Sequence, residues 1–485
     1  MSTVLPTVHR QAIMARQRPE NFNLALDADS ELGLVDQVSA ALAQMIESGQ
    51  LRTGERLPSV RQFASAQGIS VSTTVEAYER LVATGLVLAR RGAGFFVQQR
   101  DAARNAGRPV IPSNPMIDSA WLLSEVFADD RVPIKAGCGW LPNKLLDAEG
   151  LHLAERRAVR ASATQQVGYG HPYGYVPLRQ SIAQFLGRWA LEVSLDQVVT
   201  THGATQALDL IVRTMIKRGD TVLMEDPGYC NLLAILRLAD VKVIGVPRLP
   251  TGVDIDALER LAREHRPKLF FTNPILQNPT GTSYTPACAM RVLQIAERHN
   301  FWVVEDDLYR ELAQPTDPML AALDGLQRVI YVGGFSKTIA PSLRMGFAAC
   351  RPELARELAR TKMALTLTSS ELTERLVHTV LTEGHHRKHV ERLSASLMTS
   401  QAHIGARLEK VGLIPFAAPR GGMFYWARLD RPDMSAREIA DRALQKGIWL
   451  APGEFFQLSE PAYPWFRFNV AYSDAPELIE FFRKL

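Results

Sequence analysis

The first hundred residues contain no lysine, and their arginines nearly balance their acids. Any hold of this stretch on a polyanion must therefore come from where the arginines sit, not from bulk charge. The whole chain carries a net charge of only +4 over 485 residues, too mild to establish a nucleic-acid partner. Cysteine is scarce: Cys138, Cys230, Cys288 and Cys350 lie far apart, a spacing that fits neither a zinc site nor a secreted disulfide framework, so free buried thiols are expected. No run of eighteen or more apolar residues occurs, which excludes a hydrophobic membrane-spanning helix. The opening MSTVLPTVHRQ lacks the charged-then-apolar order of a signal peptide, and a cytoplasmic protein is expected. What the chain does have is length enough for two or three domains.

Residues 36–51, DQVSAALAQMIESGQL, repeat apolar side chains at helical spacing and stop near Gly49. GERLPSVRQFASAQG (54–68) follows as a turn and a helix, with Ser59 placed to cap its start and Gly68 its end. A third helix is expected over VSTTVEAYERLVATG (71–85), after a connection of only two or three residues. LVLARRGAGFFVQ (86–98) then reads as two short strands bent at Gly92 and Gly94. Three helices with so short a turn between the last two, followed by a hairpin, make a helix-turn-helix with a wing.

Over residues 31–98 the stretch resembles the winged helix of the GntR family of bacterial transcription regulators, on GERLPSVRQ, TTVEAYERL and RRGAGFFV. The resemblance implies that Arg61 reaches a phosphate or base edge, that Ser72 and Thr73 sit at the start of the recognition helix, and that Arg90, Arg91 and Gly92 form the wing tip. Hydroxyls and amides at a helix start bind phosphate, and arginine adds forked donors. Val71 departs from the pattern, standing where relatives often carry arginine, so thymine methyl contact or other residues would take over base reading. A small dimerisation domain with solvated arginines is the plainer alternative. Residues 1–30 show no period and are expected to be a flexible arm. The stretch 99–130, rich in Pro, Asn, Ala and Arg, is expected to be a linker.

From about residue 131 the pattern changes. Apolar runs (QVVTT, DTVLMED, KVIGVP, KLFFTNP, FWVVEDD, RVIYVGG, GFAAC) alternate with helical stretches, which predicts an α/β fold around a mainly parallel, doubly wound sheet. Ligands of such sheets bind at the carboxyl ends of the strands. There the polar signals collect: THGATQAL, EDPGY, NPILQNPTG, EDDLY and GGFSK each follow an apolar run. A lysine, a carboxylate, a phenol, an amide, an aromatic face and an anion site on one rim match the needs of pyridoxal 5'-phosphate (PLP).

In order and spacing this part, 131–485, resembles the fold-type I PLP-dependent aminotransferases, with a small C-terminal α+β subdomain from about residue 375. The resemblance implies that Lys337, in FSKTIAPSLRMG, forms the imine and Arg344 holds the phosphate, aided by Ser336 and by Ala204 and Thr205 at a helix start. Asp306 would meet the pyridine nitrogen, Tyr309 and Asn278 the ring oxygen, and Tyr229 the ring face. Arg467 would clamp a substrate carboxylate, and Tyr169 would reach the phosphate of a neighbouring subunit, which implies a homodimer. Gly334 departs from the pattern, lacking the hydroxyl that many relatives place on the phosphate. Fusion of the two parts is the layout of the MocR subfamily of GntR regulators. The implied function is a DNA-binding transcription regulator whose operator affinity responds to an amino compound joining PLP as an external aldimine. A working transaminase with a secondary DNA-binding domain is the alternative, and a cofactor-free scaffold a third.

Overall fold

The computed structural model describes residues 24, 26–27, 32–90, 92–98, 132–158, 168–418, 420–459 and 461–485. Arg91, the expected linker and nearly all of the expected arm lie outside the described residues. The chain divides into two compact units, residues 1–113 and 114–485. Among the described residues no helix is long and apolar enough to cross a membrane, and all four cysteines are buried and unpaired.

In the first unit, α1 (Leu34–Glu47), α2 (Val60–Gln67) and α3 (Val71–Ala83) enclose a core of Val38, Leu42, Phe63, Ala77, Tyr78 and Leu81. Ser59 caps α2 reciprocally: its hydroxyl accepts the Gln62 N–H at 3.4 Å, and Gln62 Oε1 accepts the Ser59 N–H at 3.2 Å. Gly68 ends the helix in the left-handed region, at φ +66°. Strands β1 (Val87–Arg90) and β2 (Gly94–Val97) pair from Val87↔Val97 to Arg90↔Gly94, with Gly92 at φ +73° in the turn. The wing also has a third edge: Gly54 N–H reaches Val97 O at 2.8 Å and Leu57 N–H reaches Phe95 O at 2.9 Å. Tyr78 ties the pieces together, its hydroxyl on Pro58 O at 3.2 Å and its ring 5.0 Å from that of Phe95.

The second unit is built on eight strands: β3 (Val198–Thr201), β4 (Thr221–Asp226), β5 (Lys242–Leu249), β6 (Gly252–Val253), β7 (Leu269–Thr272), β8 (Trp302–Asp306), β9 (Val329–Gly334) and β10 (Gly346–Ala349). Their spatial order is β3-β10-β9-β8-β7-β4-β5-β6. The run β5-β4-β7-β8-β9 is parallel, whereas β10 runs antiparallel to both β3 and β9, and β6 antiparallel to β5. Alternate side chains feed opposite cores: Leu223 and Val303 pack on one face, Val222, Met224 and Val304 on the other. Burial on both faces is why these strands read as continuous apolar runs.

A second sheet of β11 (Leu413–Pro415), β12 (Phe424–Leu429), β13 (Ala451–Pro452) and β14 (Trp465–Asn469), in the order β11-β12-β14-β13, is wholly antiparallel. The helices His385–Glu409, Ala436–Leu444 and Pro476–Arg483 pack with it around Leu397, Phe466, Phe468 and Phe482. Residues from far upstream join this layer. Ile134 bridges to Ile448, Gly137 N–H donates to Trp449 O at 2.8 Å, and Asn469 N–H to Ala136 O at 2.6 Å. Gly137 is needed for that approach, since a Cβ there would fall 2.2 Å from Ala451 N.

Candidate functional site

The rim of the large sheet gathers its polar residues as expected for a ligand site at strand ends. Strand β3 leads into the helix Gly203–Met215, whose first turn carries Ala204 and Thr205. Strand β4 ends in Asp226, and Tyr229 then precedes the helix Cys230–Leu238. Asp306 is the last residue of β8, with Tyr309 one turn on, and Ser336 and Lys337 follow β9. Because β10 returns antiparallel, the connection from Gly334 to Gly346 stays at this rim and keeps Arg344 beside Lys337.

One end of the rim is shaped for a tetrahedral anion. Gly203 takes φ +77°, and a Cβ on it would lie 2.8 Å from Nη2 of Arg344; a Cβ on Gly346 would lie 2.6 Å from Ala204 N. Bare glycines, a helix N-terminus and a guanidinium thus converge. At Gly334 a Cβ would meet nothing nearer than Met345 O at 3.4 Å, so the missing side chain leaves room.

Lys337 donates from Nζ to Gly139 O at 2.7 Å. Desolvation, then the positive charges of Arg467 and Arg344, lower its amine to about 8, while Cys138 and Asp306 pull the other way. Asp306 is pushed up to about 7, first by desolvation and then by Asp307, with Lys337 opposing. Its Oδ1 is buried without a hydrogen-bond partner; Asp307 beside it holds Arg310 through Oδ2 and leaves its own Oδ1 buried and unpartnered as well. Burial pushes Tyr229 up to about 12 and Tyr309 well above its ordinary value. Tyr229 is hydrogen-bonded to Thr205 and accepts from Asn231 Nδ2 at 3.0 Å.

Arg467, 2% exposed on β14, spans the two layers. Its Nη1 donates to Asn278 Oδ1 at 2.8 Å and its Nη2 to Gly137 O at 2.7 Å, while Nε is buried without a partner. The rings of Phe424 and Phe456 lie 4.6 and 4.7 Å from its guanidinium carbon. All of these partners are neutral. A buried cation held only by neutral groups is expensive unless an anion completes it.

Lys337, Asp306, Tyr229, Tyr309, Asn278, Thr205, Ala204 and Arg344 therefore lie on one rim, with Ser336 beside the lysine, and Arg467 reaches it from the second sheet through Asn278. Tyr169 does not join them: it is 86% exposed. Sequence reasoning missed the carbonyls of Gly137 and Gly139 and the thiols of Cys138 and Cys230 that flank Arg467. It also missed a buried support. Glu225 accepts from Arg248 Nη1 at 2.7 Å, Thr272 Oγ1 at 2.7 Å, Tyr284 OH at 2.8 Å and Gln277 Nε2 at 3.0 Å, and so fixes the loop that carries Asn278. The GCG tripeptide at 137–139 was the available signal for the missed carbonyls.

In the first unit, Arg61 is exposed on α2, and Arg90 is exposed at the end of β1 with its guanidinium 4.9 Å from the Phe96 ring. Arg56, also exposed, pairs with Phe96 and points its guanidinium at Gly94, adding a cation to the wing that sequence reasoning passed over. Ser72 and Thr73 stand in the first turn of α3.

Comparison with known proteins agrees with both halves. Residues 143–485 match the family Aminotransferase class I and II, and residues 34–97 match the bacterial regulatory proteins of the gntR family. The probable rhizopine catabolism regulatory protein MocR of Rhizobium meliloti is 30% identical, over 88% of this chain and 86% of its own length. This chain belongs to the MocR subfamily of GntR regulators. The 2-aminoadipate transaminase of Thermus thermophilus is 32% identical, over 73% of the MocR-type chain and 90% of the transaminase. Among solved structures, the Thermus thermophilus α-aminoadipate aminotransferase LysN, complexed with N-(5'-phosphopyridoxyl)-L-leucine, superposes with a TM-score of 0.67 at 29% identity, covering 76% of this chain and 92% of LysN. The fold is thus a GntR winged helix followed by a fold-type I aminotransferase-like domain, and the cofactor of this MocR-type chain is PLP. The residues fit it: Asp306 Oδ1 awaits a donor, Arg344 and the bare helix start await a phosphate, and Lys337 carries a readily deprotonated amine.

Proposed function

We propose that the chain is a cytoplasmic, homodimeric transcription regulator that holds PLP on Lys337 and changes its hold on operator DNA when an amino compound with a carboxylate enters the site. Bound PLP supplies an aldehyde that takes up primary amines and a ring that accepts electrons. Arg344, with the amides and Thr205 hydroxyl at the start of the helix Gly203–Met215, binds the phosphate, and Ser336 assists. Asp306 keeps a proton on the pyridine nitrogen. Tyr229 covers the ring, Tyr309 and Asn278 address its oxygen, and Tyr169 serves the partner subunit's phosphate. Lys337 gives and takes the proton at the reacting amine. Arg467 receives the carboxylate, and its present partners, two neutral oxygens, leave its charge free for that role.

The observation that carries this reading is the pair of incomplete buried groups, Asp306 Oδ1 and Arg467, both close enough to Lys337 for their charges to act on its amine. The purified protein mixed with PLP should gain a visible band and, after borohydride, one cofactor mass on Lys337; amino compounds that shift the band should also shift affinity for the DNA upstream of its own gene. A colourless, untrapped protein would refute the cofactor assignment. The complete lysine, aspartate, tyrosine and arginine set also favours a second reading, a working transaminase. Sustained turnover with a keto acid, joined to an absence of specific DNA binding, would favour the enzyme over the regulator.

A further inference from the structure

The outward side of α3 is apolar where it begins. Val71, its first residue, is 50% exposed, and Val75, one turn later, is 36% exposed. The opposite side, Thr74, Ala77, Tyr78 and Leu81, is buried. In a winged helix-turn-helix the start of this helix is the part that meets base edges in the major groove.

The neighbouring hydroxyls, though exposed, are engaged with one another. Ser70 Oγ accepts the Thr73 N–H at 3.0 Å and lies 2.7 Å from both Ser72 Oγ and Thr73 Oγ1, so the cap is a closed local network. Farther along, Glu76 is engaged by Arg80 at 3.1 Å. Beside these engaged polar groups, the start of α3 exposes the methyl groups of Val71 and Val75. In the same unit the exposed Arg56, Arg61 and Arg90 supply charge complementary to a phosphate backbone. Among the groups a base pair shows in the major groove, the one that matches a valine methyl is the C5-methyl of thymine.

We infer that Val71 and Val75 read thymine methyls, so that the operator half-site carries A·T pairs where the first turn of α3 enters the groove. The inference rests on the DNA-binding reading above and adds the sequence that the DNA must carry.

The test uses the full-length, PLP-loaded protein. Sites are enriched from a randomised duplex library, and each thymine of an enriched site is then replaced singly by deoxyuridine, which removes the methyl and leaves every hydrogen-bonding edge intact. At one or two positions the substitution should weaken binding about fourfold, the worth of one buried methyl. The thymine-to-uracil affinity ratio at one such position should fall to about 1 in Val71→Ala, and at another in Val75→Ala, as coupled pairs require. Val71→Thr, which keeps the β-branched shape and one methyl, should give an intermediate ratio. Specific binding that ignores every thymine methyl, or ratios unchanged in both alanine variants, would overturn the inference alone. Failure to enrich any sequence would overturn it together with the DNA-binding reading.

Discussion

Lys337 faces two opposed demands, since its amine must be neutral to attack an aldehyde yet sits where a neighbouring phosphate and carboxylate favour positive charge. Burial and the charges of Arg467 and Arg344 settle the matter by lowering it to about 8 from 10.5. PLP uptake by the apoprotein should therefore speed up with pH, with a midpoint near 8, when followed by the visible band in a stopped-flow instrument. A midpoint near 10 would mean that burial leaves this lysine ordinary. Asp306 works in the opposite direction. Its folded value, about 7, lies above its unfolded value of 3.8, so the folded apoprotein holds a proton that the unfolded chain has released between those limits. Stability contributed by the protonated group is present below pH 4 and is lost as pH rises toward 7. Asp306→Asn should accordingly raise the melting temperature of the apoprotein at pH 8 by about 5 °C, and the same variant should lose most of the stabilisation that PLP gives the wild type. If the apo variant melts lower than wild type, the unpartnered carboxylate is not the liability assigned to it. These two residues, with Tyr309, Arg344 and Arg467, were legible in the sequence because each is a distinctive side chain in a distinctive order. The carbonyls of Gly137 and Gly139 were not, since every residue carries a carbonyl and only the fold selects which one meets Arg467 and which the Lys337 amine.

Element by element, apolar runs announced the strands and their alternation with helices announced a mainly parallel sheet, but not the antiparallel return of β10. An apolar run on β10 looks the same whichever way it is threaded. The deciding feature is the connection: residues 335–345 form only a short 3-10 turn at Pro341–Leu343, with no crossover helix, so β10 must return antiparallel. That return sets Arg344 beside the start of the helix Gly203–Met215, and Gly203 completes the arrangement. Its left-handed φ of +77° would strain any side chain, and a Cβ 2.8 Å from Nη2 of Arg344 would push that guanidinium aside. Gly203→Ala should therefore weaken PLP binding at least about tenfold, an effect of roughly 1.4 kcal/mol from backbone strain and a displaced guanidinium, read as cofactor retained against dialysis. The visible band, once formed at saturating PLP, should remain, because Lys337 is untouched. Retention equal to wild type would show that the phosphate sits elsewhere. The third edge of the wing, residues 54–57, escaped sequence reasoning for a related reason: GERLP reads as a turn, and only pairing with β2 makes it an edge. The same pairing brings Arg56 to the wing.

For the molecule as a whole, regulation is a statement about free energy shared between two sites, and it can be tested without knowing how the two units are arranged. If an amino compound changes operator affinity by some factor, operator DNA must change the affinity for that compound by the same factor. For a typical regulator that factor is about 5 to 150. The cofactor band gives one half of the measurement, titrated with the compound in the absence and presence of saturating operator; the DNA-binding isotherm, with and without saturating compound, gives the other. Equal factors above 5 would make the site around Lys337 a sensor in the thermodynamic sense, because the compound then has different affinities for the two conformational states. A compound whose affinity is indifferent to operator cannot be the regulator's signal, however tightly it binds or however fast it is transaminated. Indifference across every compound that shifts the band would leave two functions on one chain, a DNA-binding head and an enzyme, joined in sequence and not in energy.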